Sequence, residues 1–327
     1  MALSLTELDA FVHAAIIPRT TDVIHKRSGV FTRLSTRNAE RFTGGRYIQR
    51  PIMYGSLTGG AFDKSTSTLD ISYVQTDTAL VVNMKYYYVN ITLYGIDAVH
   101  DQGPNAVFSQ VETKFANASL TMAKLLATDM YLNDLSARSA NLTGFDMWYD
   151  DGNTYSTIGS IDRDDIYPRG SVGGLNAYTA TLTNGFTLPD LERAYGQAQH
   201  GSDHVDLIVV TQNAYDQIWR AMLPNQRYVS REGDLTEAGF ETFRFNAADV
   251  VVCQYLSDAF ADSTPRIFGM NTNYIEWYFS NNDLWYFGFT GFKYAANTVN
   301  VSGQFLVACN TVVPNPRTGF KLICSDF

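Results

Sequence analysis

The chain has 327 residues, 45% of them hydrophobic, with 20 Tyr, 20 Phe and a formal net charge of −9. That length suits about two domains with ordinary apolar cores. No apolar run approaches the ~18 residues of a membrane helix, the start lacks the pattern of a signal peptide, and three cysteines without CxxC spacing (Cys253, Cys309, Cys324) speak against a disulfide framework and for a reducing compartment.

Leu3 to Ala15 reads as a short helix, with Leu5, Leu8, Phe11 and Val12 on one side and Pro18 as its stop. Thr20 to Arg46 keeps neither helical nor strand periodicity and reads as an extended arm. Between residues 19 and 50 stand eight basic residues, Arg19, Lys26, Arg27, Arg33, Arg37, Arg41, Arg46 and Arg50, against Asp22 and Glu40. The stretch carries +6 and leaves −15 for the rest. A basic arm on an acidic body suits nucleic acid or an acidic partner surface; a solvated polar segment is the plainer alternative.

Tyr47 to Tyr54 and Ala79 to Ile96 are strand candidates, the second rich in Val, Tyr and Ile. The glycine-containing stretch Gly55 to Ser65 lies between them as a tip, so the pair predicts a β-ribbon. A two-stranded ribbon is marginal in water without something to lie on. Gly103-Pro104 then opens the longest element. Phe108, Val111, Phe115, Ala118, Met122, Leu125 and Leu132 recur at three- and four-residue steps, broken once at Asp129. Residues 104 to 135 predict a helix of about 48 Å, apolar on one side only and therefore packed on a sheet. Arm, ribbon and lone helix have much surface and little volume. The arm and ribbon are expected to bury substantial area only against neighbouring chains.

Asp146 to Pro168 carries Asp146, Asp150, Asp151, Asp162, Asp164 and Asp165. The spacing does not match a calcium loop, so a solvated connecting hairpin is expected. Thr187-Leu-Pro-Asp190 starts a second helix with Leu191, Ala194, Tyr195 and Ala198 on its face. Val205 to Val210, apolar throughout except for Asp206, reads as a strand covered on both faces. A third helix with Tyr215, Ile218, Trp219 and Met222 closes at Pro224. Residues 226 to 248 read as a loop mixing charges of both signs with aromatics. Val250 to Cys253 is another buried strand, and Ile267 to Phe292 gives aromatic-rich strands with a turn at Ser280 to Asp283. Gln304 to Val313 and Phe320 to Cys324 are the last strands, separated by Pro314-Asn-Pro316.

No catalytic constellation stands out. GxSxG and HExxH are absent, and Gly59 to Ser65 lacks the glycine before Lys64 that a phosphate loop needs. His200 and His204 are four apart, but Gly201 breaks the helix that would align them as metal ligands with Asp203 or Asp206. The reading is a non-enzyme without cofactor or metal.

Taken in this order, the elements resemble the major capsid protein of tailed bacteriophages, the α+β Hong Kong 97-like shell fold. The resemblance runs over nearly the whole chain, including Val205-Asp-Leu-Ile-Val-Val-Thr-Gln-Asn-Ala-Tyr-Asp-Gln-Ile-Trp219, Gln304-Phe-Leu-Val-Ala-Cys-Asn310 and Pro316-Arg-Thr-Gly-Phe320. It implies an N-terminal arm over 1–46 and an E-loop over 47–97. A peripheral domain of 98–186 and 293–327 would contain the spine helix, and an axial domain would span 187–292. It also implies a structural subunit that self-assembles, as pentamers and hexamers, into an icosahedral shell around double-stranded DNA. Such a subunit belongs to the virion capsid and is assembled in the host cytoplasm. Packaged DNA and scaffolding, portal or decoration proteins are its candidate partners, and no membrane is involved.

By the same resemblance Arg27, Arg33, Arg37 and Arg41 face DNA or a neighbouring subunit, and Arg46, Arg50 and Lys64 make E-loop contacts. The loop with Arg227, Arg231 and Glu232 lies on the capsomer axis, where head-to-tail contacts pair unlike charges. The short stretch before the arm implies a separate scaffolding protein or none. A covalent link from Lys64 to Asn310 or Asn315 of a neighbour is a further family feature, against which stands a plain surface lysine. Two other readings stay open. One is an encapsulin-like nanocompartment shell around an enzyme cargo, which the basic arm disfavours. The other is a ligand-binding β-protein using the aromatics of Tyr274 to Phe292.

Overall fold

The computed structural model describes residues 12, 16, 28–37, 39–55, 57–59, 72–94, 104–132, 141–183, 185–222, 242–260, 264–294 and 300–324. Within the arm, Gly29–Arg37 forms helix α1 and Ala39–Phe42 strand β1. Val30, Phe31 and Leu34 share a side for little more than one turn, too short to hold a helix in water. Tertiary contact supplies the rest: all three are buried, and Phe31 stacks on Trp277 at 4.7 Å. The expected extended arm is thereby corrected over 29–37.

Strands β2 (Tyr47–Met53) and β3 (Asp77–Asn83) pair antiparallel from Tyr47↔Asn83 to Met53↔Asp77, forming the root of the ribbon. Alternation turns Ile48, Ile52, Leu80 and Val82 inward, into the main core. The ribbon root therefore packs on its own chain, against the expectation that it needs neighbours to do so. Its seat is the turn at Gly159, where φ is +52° and an added Cβ would lie 2.5 Å from Leu80 Cδ1. The Gly159 carbonyl accepts the Val81 N–H at 3.0 Å.

β4 (Lys85–Leu93) follows, and α2 (Pro104–Asp129) lies against it. Val111, Phe115, Ala118, Met122 and Leu126 are buried on its inner side, while Leu125 points outward. Phe115 meets Phe289 and Phe292 edge-on at 4.9 and 6.3 Å. The helix stops short of the expected residue 135. The Phe145 N–H caps the Met130 carbonyl at 2.7 Å, and Asp129 accepts the Tyr87 hydroxyl at 2.7 Å. That bond explains the break in the apolar series.

Residues 141–182 contain α3 (Phe145–Trp148), β5 (Thr157–Ile158), β6 (Ile161–Asp162), α4 (Arg163–Ile166) and β7 (Tyr178–Leu182). Beyond them come α5 (Leu188–Ala198), β8 (Leu207–Val210), α6 (Gln212–Met222), β9 (Thr242–Phe245), β10 (Ala248–Val252) and α7 (Gln254–Ala259). The chain then gives β11 (Arg266–Met270), β12 (Glu276–Ser280), β13 (Gly288–Phe289), β14 (Lys293–Tyr294), β15 (Val301–Val312) and β16 (Phe320–Cys324). Thr187 caps α5 by accepting from the Asp190 N–H, as its sequence pattern predicts. β9 lies inside the expected 226–248 loop. It pairs antiparallel with β10 across a turn in which Asn246 takes φ 51°.

Two six-stranded sheets result. In the first, the twelve-residue β15 is flanked by β4 on one side and by β12, β13 and β14 on the other, and β1 adds parallel to β12. The second has the order β7-β16-β11-β8-β10-β9 and mixes parallel and antiparallel pairs. β8 lies between two cores. Leu207 and Val209 face the core shared with α2 and the ribbon; Ile208 and Val210 face α5 and α6. Full burial on both faces is what the apolar run predicts. The expected domain limits at 187 and 292 do not coincide with the sheets. β12 and β13 pair with β15, whereas β7 and β16 join β8, β10 and β11.

Candidate assembly surface

The basic residues of the arm divide by environment. Arg33 is buried, and its guanidinium meets Asp249 at 2.9 Å and Asp206 at 3.3 Å. Asp206 also accepts the Thr272 N–H at 2.7 Å, so Arg33 ties α1 to the start of β8 rather than facing a partner. Arg37 ends α1. The Arg41 guanidinium sits over the Tyr286 ring at 4.4 Å and lies 4.0 Å from Asp283, half exposed to solvent. Arg46 is exposed beside the Tyr47 ring. Arg50 makes a 2.5 Å ion pair with Glu276. Arg27, Lys64, Arg227, Arg231 and Glu232 lie outside the described residues. The structure brings Arg41, Arg46 and Arg50 onto the arm and ribbon root and separates Arg33 from them.

The ribbon carries apolar surface that sequence reasoning did not single out. Met53 is 86% exposed, Leu57 76% and Tyr73 91%, all beyond the part of the ribbon seated on the core. Tyr86 and Tyr88 stand outward on β4 on either side of buried Tyr87. Their period-two alternation was the available signal. The aromatics of 274–292 do the opposite: Trp277, Phe279, Phe287, Phe289 and Phe292 are buried in the main core. That corrects the reading of this stretch as a ligand-binding aromatic surface.

A second cluster was missed entirely. The stretch expected as a solvated hairpin holds Asp146, Asp150 and Arg163, all buried, and Lys321 of β16 reaches into it. Lys321 Nζ lies 3.2 Å from Asp146 Oδ1 and 3.0 Å from Asp150 Oδ1. Asp150 Oδ2 accepts the N–H groups of Gly152, Thr154 and Tyr155 at 3.0, 3.3 and 3.0 Å. The Tyr155 hydroxyl donates to Asp146 Oδ2 at 2.7 Å. Arg163 donates to the carbonyls of Asp150, Leu175 and Met147. Burial works to raise the Asp150 carboxyl, but Lys321, the Tyr155 amide and Arg163 hold it below the usual aspartate range. Burial pushes the Arg163 guanidinium down to about 10. Charges buried with this many partners lock a fold together.

His200 and Asp203 form an isolated bridge, and His204 Nδ1 lies 3.1 Å from the Ser202 carbonyl. Among the described residues no group of three or more His, Cys, Asp or Glu is placed to hold a metal. Cys253, Cys309 and Cys324 are buried free thiols. Asn310 is buried, with its amide donating to the Asn83 carbonyl at 2.6 Å and its oxygen accepting the Thr143 N–H at 3.0 Å. It is thus bound into the fold rather than presented to a neighbour's lysine.

The sequence matches no family model and no curated protein. The fold does match solved structures. In the cyanophage A-1(L) capsid asymmetric unit, a chain 12% identical superposes with a TM-score of 0.60 over 90% of each chain. The capsid of the native GTA particle gives 0.59 at 10% identity over 91% of each chain. The holo-SrpI encapsulin complex from Synechococcus elongatus PCC 7942 gives 0.51 at 9% identity, over 90% of this chain and 86% of that one. At such identities the likeness defines the fold. This chain has the mixed α+β fold found in these capsid and encapsulin proteins, across nearly its whole length.

Proposed function

We propose that the chain is a structural shell subunit, a phage-type major capsid protein whose copies close into an icosahedral capsid around double-stranded DNA. The observation that carries this is the two-way coverage of the likeness: 90% of this chain and 90% of a cyanophage capsid chain superpose, so little of the chain is left for another task. In this reading 1–46 is the arm and 47–97 the E-loop of a Hong Kong 97-like subunit. Residues 98–186 and 293–327 form the peripheral domain around α2, and 187–292 form the axial domain. The sheet pairing supports assigning β12 and β13 to the peripheral side as well.

Arg41 and Arg46, exposed on the arm and ribbon root, are the described basic residues best placed for a neighbour or for DNA. Arg27, Arg37 and Lys64 are proposed for the same surfaces, and Arg227, Arg231 and Glu232 for the capsomer axis. Arg33 and Arg50 are engaged within the chain and serve the subunit itself. Pentamers and hexamers of the chain are the primary partners, with packaged DNA and scaffolding, portal or decoration proteins beside them. The setting is a virion capsid assembled in the host cytoplasm, and the role is not enzymatic.

The encapsulin likeness supports a second reading, a nanocompartment shell around a protein cargo. Electron microscopy of the expressed protein tests both. Closed particles of uniform size are expected, and a protein that stays monomeric as its concentration is raised would overturn both readings. Nuclease-protected DNA inside particles from infected or induced cells separates the capsid from the compartment.

A further inference from the structure

Beside the ribbon root lies a cleft of 440 Å³. Ile52 and Met53 line it together with Ile166, Leu175 and Pro314, and Arg317 contributes a cationic group. Arg317 sits on the 3-10 turn Pro316–Thr318 and is half-buried. Its Nε is buried and makes no hydrogen bond to a described residue. The unbonded Nε does not by itself set Arg317 apart, since the buried Arg163 Nε is unbonded as well; the remaining contacts of the interior cations do. Arg33 meets two carboxylates, Lys321 meets two, and Arg163 is held by main-chain carbonyls. Tyr54, His200, Tyr274 and Asn315 also line the cleft, but no carboxylate does, so the half-buried guanidinium has no anionic counter-group among the described lining residues and carries a desolvation cost. A carboxylate matches its fork of donors, and the pair is strongest where water is excluded.

We propose that this cleft receives a carboxylate side chain of a second copy of this chain, which pairs with Arg317 while apolar residues beside it cover Met53. Charge complementarity points to a second copy. Outside residues 19–50 the chain carries a net −15, so carboxylates are what another copy offers in excess. Met53, 86% exposed at the rim, supplies the apolar half of the contact. The proposal rests on the shell reading and adds a specific inter-subunit anchor to it.

The test compares wild type with Arg317→Glu and Arg317→Gln at equal concentration, by sedimentation velocity and electron microscopy, with thermal melts of the unassembled subunits. The assembled fraction is expected to fall about tenfold or more for Arg317→Glu and less for Arg317→Gln, with melts close to wild type. In parallel, p-benzoylphenylalanine at position 53 is photolysed in particles assembled from mixed light and isotopically heavy subunits. Mixed-isotope cross-links to a peptide containing Asp or Glu are expected, and this arm decides the matter even if Arg317→Glu fails to fold. Wild-type particles that form while both variants assemble equally well would overturn the anchor and leave the shell reading intact. Cross-links confined to one chain, or made to a different protein, overturn it too. A wild type that never assembles removes the shell reading, and the anchor with it.

Discussion

The two faces of β16 are buried by opposite means. Phe320, Leu322 and Cys324 lie in the apolar core beneath α5 and α6. Lys321, between them, turns the other way into Asp146 and Asp150 and is itself buried. The apolar face is held by contacts that are non-directional and degenerate, so many side chains of similar volume would serve. The charged face is held by directional contacts between particular donors and acceptors, so it fixes β16 against 141–182 in one arrangement. Strength on the first face comes from area, and specificity on the second comes from geometry.

A lone charge placed in the apolar layer is expected to have the largest effect. Phe115→Asp, and likewise Met122→Asp, puts an unpaired carboxylate on the buried side of α2, and no soluble folded subunit should be recovered. Leu125→Asp, on the outer side of the same helix, should leave solubility and the melt intact; a cooperative melt for Phe115→Asp would show that the buried side is misassigned.

Next comes removal of the cation from the charged face. Lys321→Met leaves two carboxylates buried without it and should cost about 3–5 kcal/mol in denaturant unfolding. A loss no larger than that of a surface substitution would mean that water already enters the cluster.

Acid probes the same cluster with a definite sign. The Asp150 carboxyl is held low in the fold, so its stabilisation is complete above the ordinary aspartate value of about 3.9 and is lost as pH falls from there through the lower folded value. Asp129 behaves oppositely. Burial raises its carboxyl, which the Tyr87 hydroxyl offsets in part, so its contribution is present at low pH and lost as pH rises through the raised value. Melting temperatures measured from about pH 3 to about pH 7 should therefore rise for Asp129→Asn relative to wild type toward the upper end. A shift independent of pH would remove this assignment.

The smallest effect is expected at the surface. Lys124→Ala breaks a 3.6 Å pair with Asp258 in which the lysine is 65% exposed, and should change stability by no more than about 0.5 kcal/mol. A larger loss measured in the unassembled subunit would show that α7 depends on that pair for its place against α2.

The regions treated alike by these tests were not equally legible. The inner side of α2 was read almost residue by residue, because three- and four-residue steps report a helix face directly. Among the described side chains that reading departs at Leu125, where the adjacent Leu126 fits the step equally well and is the buried one, and at Leu132, which lies past the end of the helix. The candidate assembly residues were harder to read. Arg33 and Arg41 look the same in sequence, yet one is buried against Asp206 and Asp249 and the other lies over Tyr286 in solvent. Nothing within a few residues of either one distinguishes them.

By itself the sequence determined what local periodicity and chain stiffness can encode: the long one-sided helix, the ribbon root with its alternating Ile48 and Ile52, the doubly buried run of β8, and the capped start of α5. Tertiary structure alone decided the helical state of 29–37, which depends on Trp277, and the split of β15 and β16 between two sheets. It also decided the burial of an acidic stretch that looks solvated. The physical reason is distance along the chain. Lys321 neutralises Asp146 from 175 residues away, and whether a carboxylate is solvated or buried is set by such a partner rather than by its neighbours in sequence.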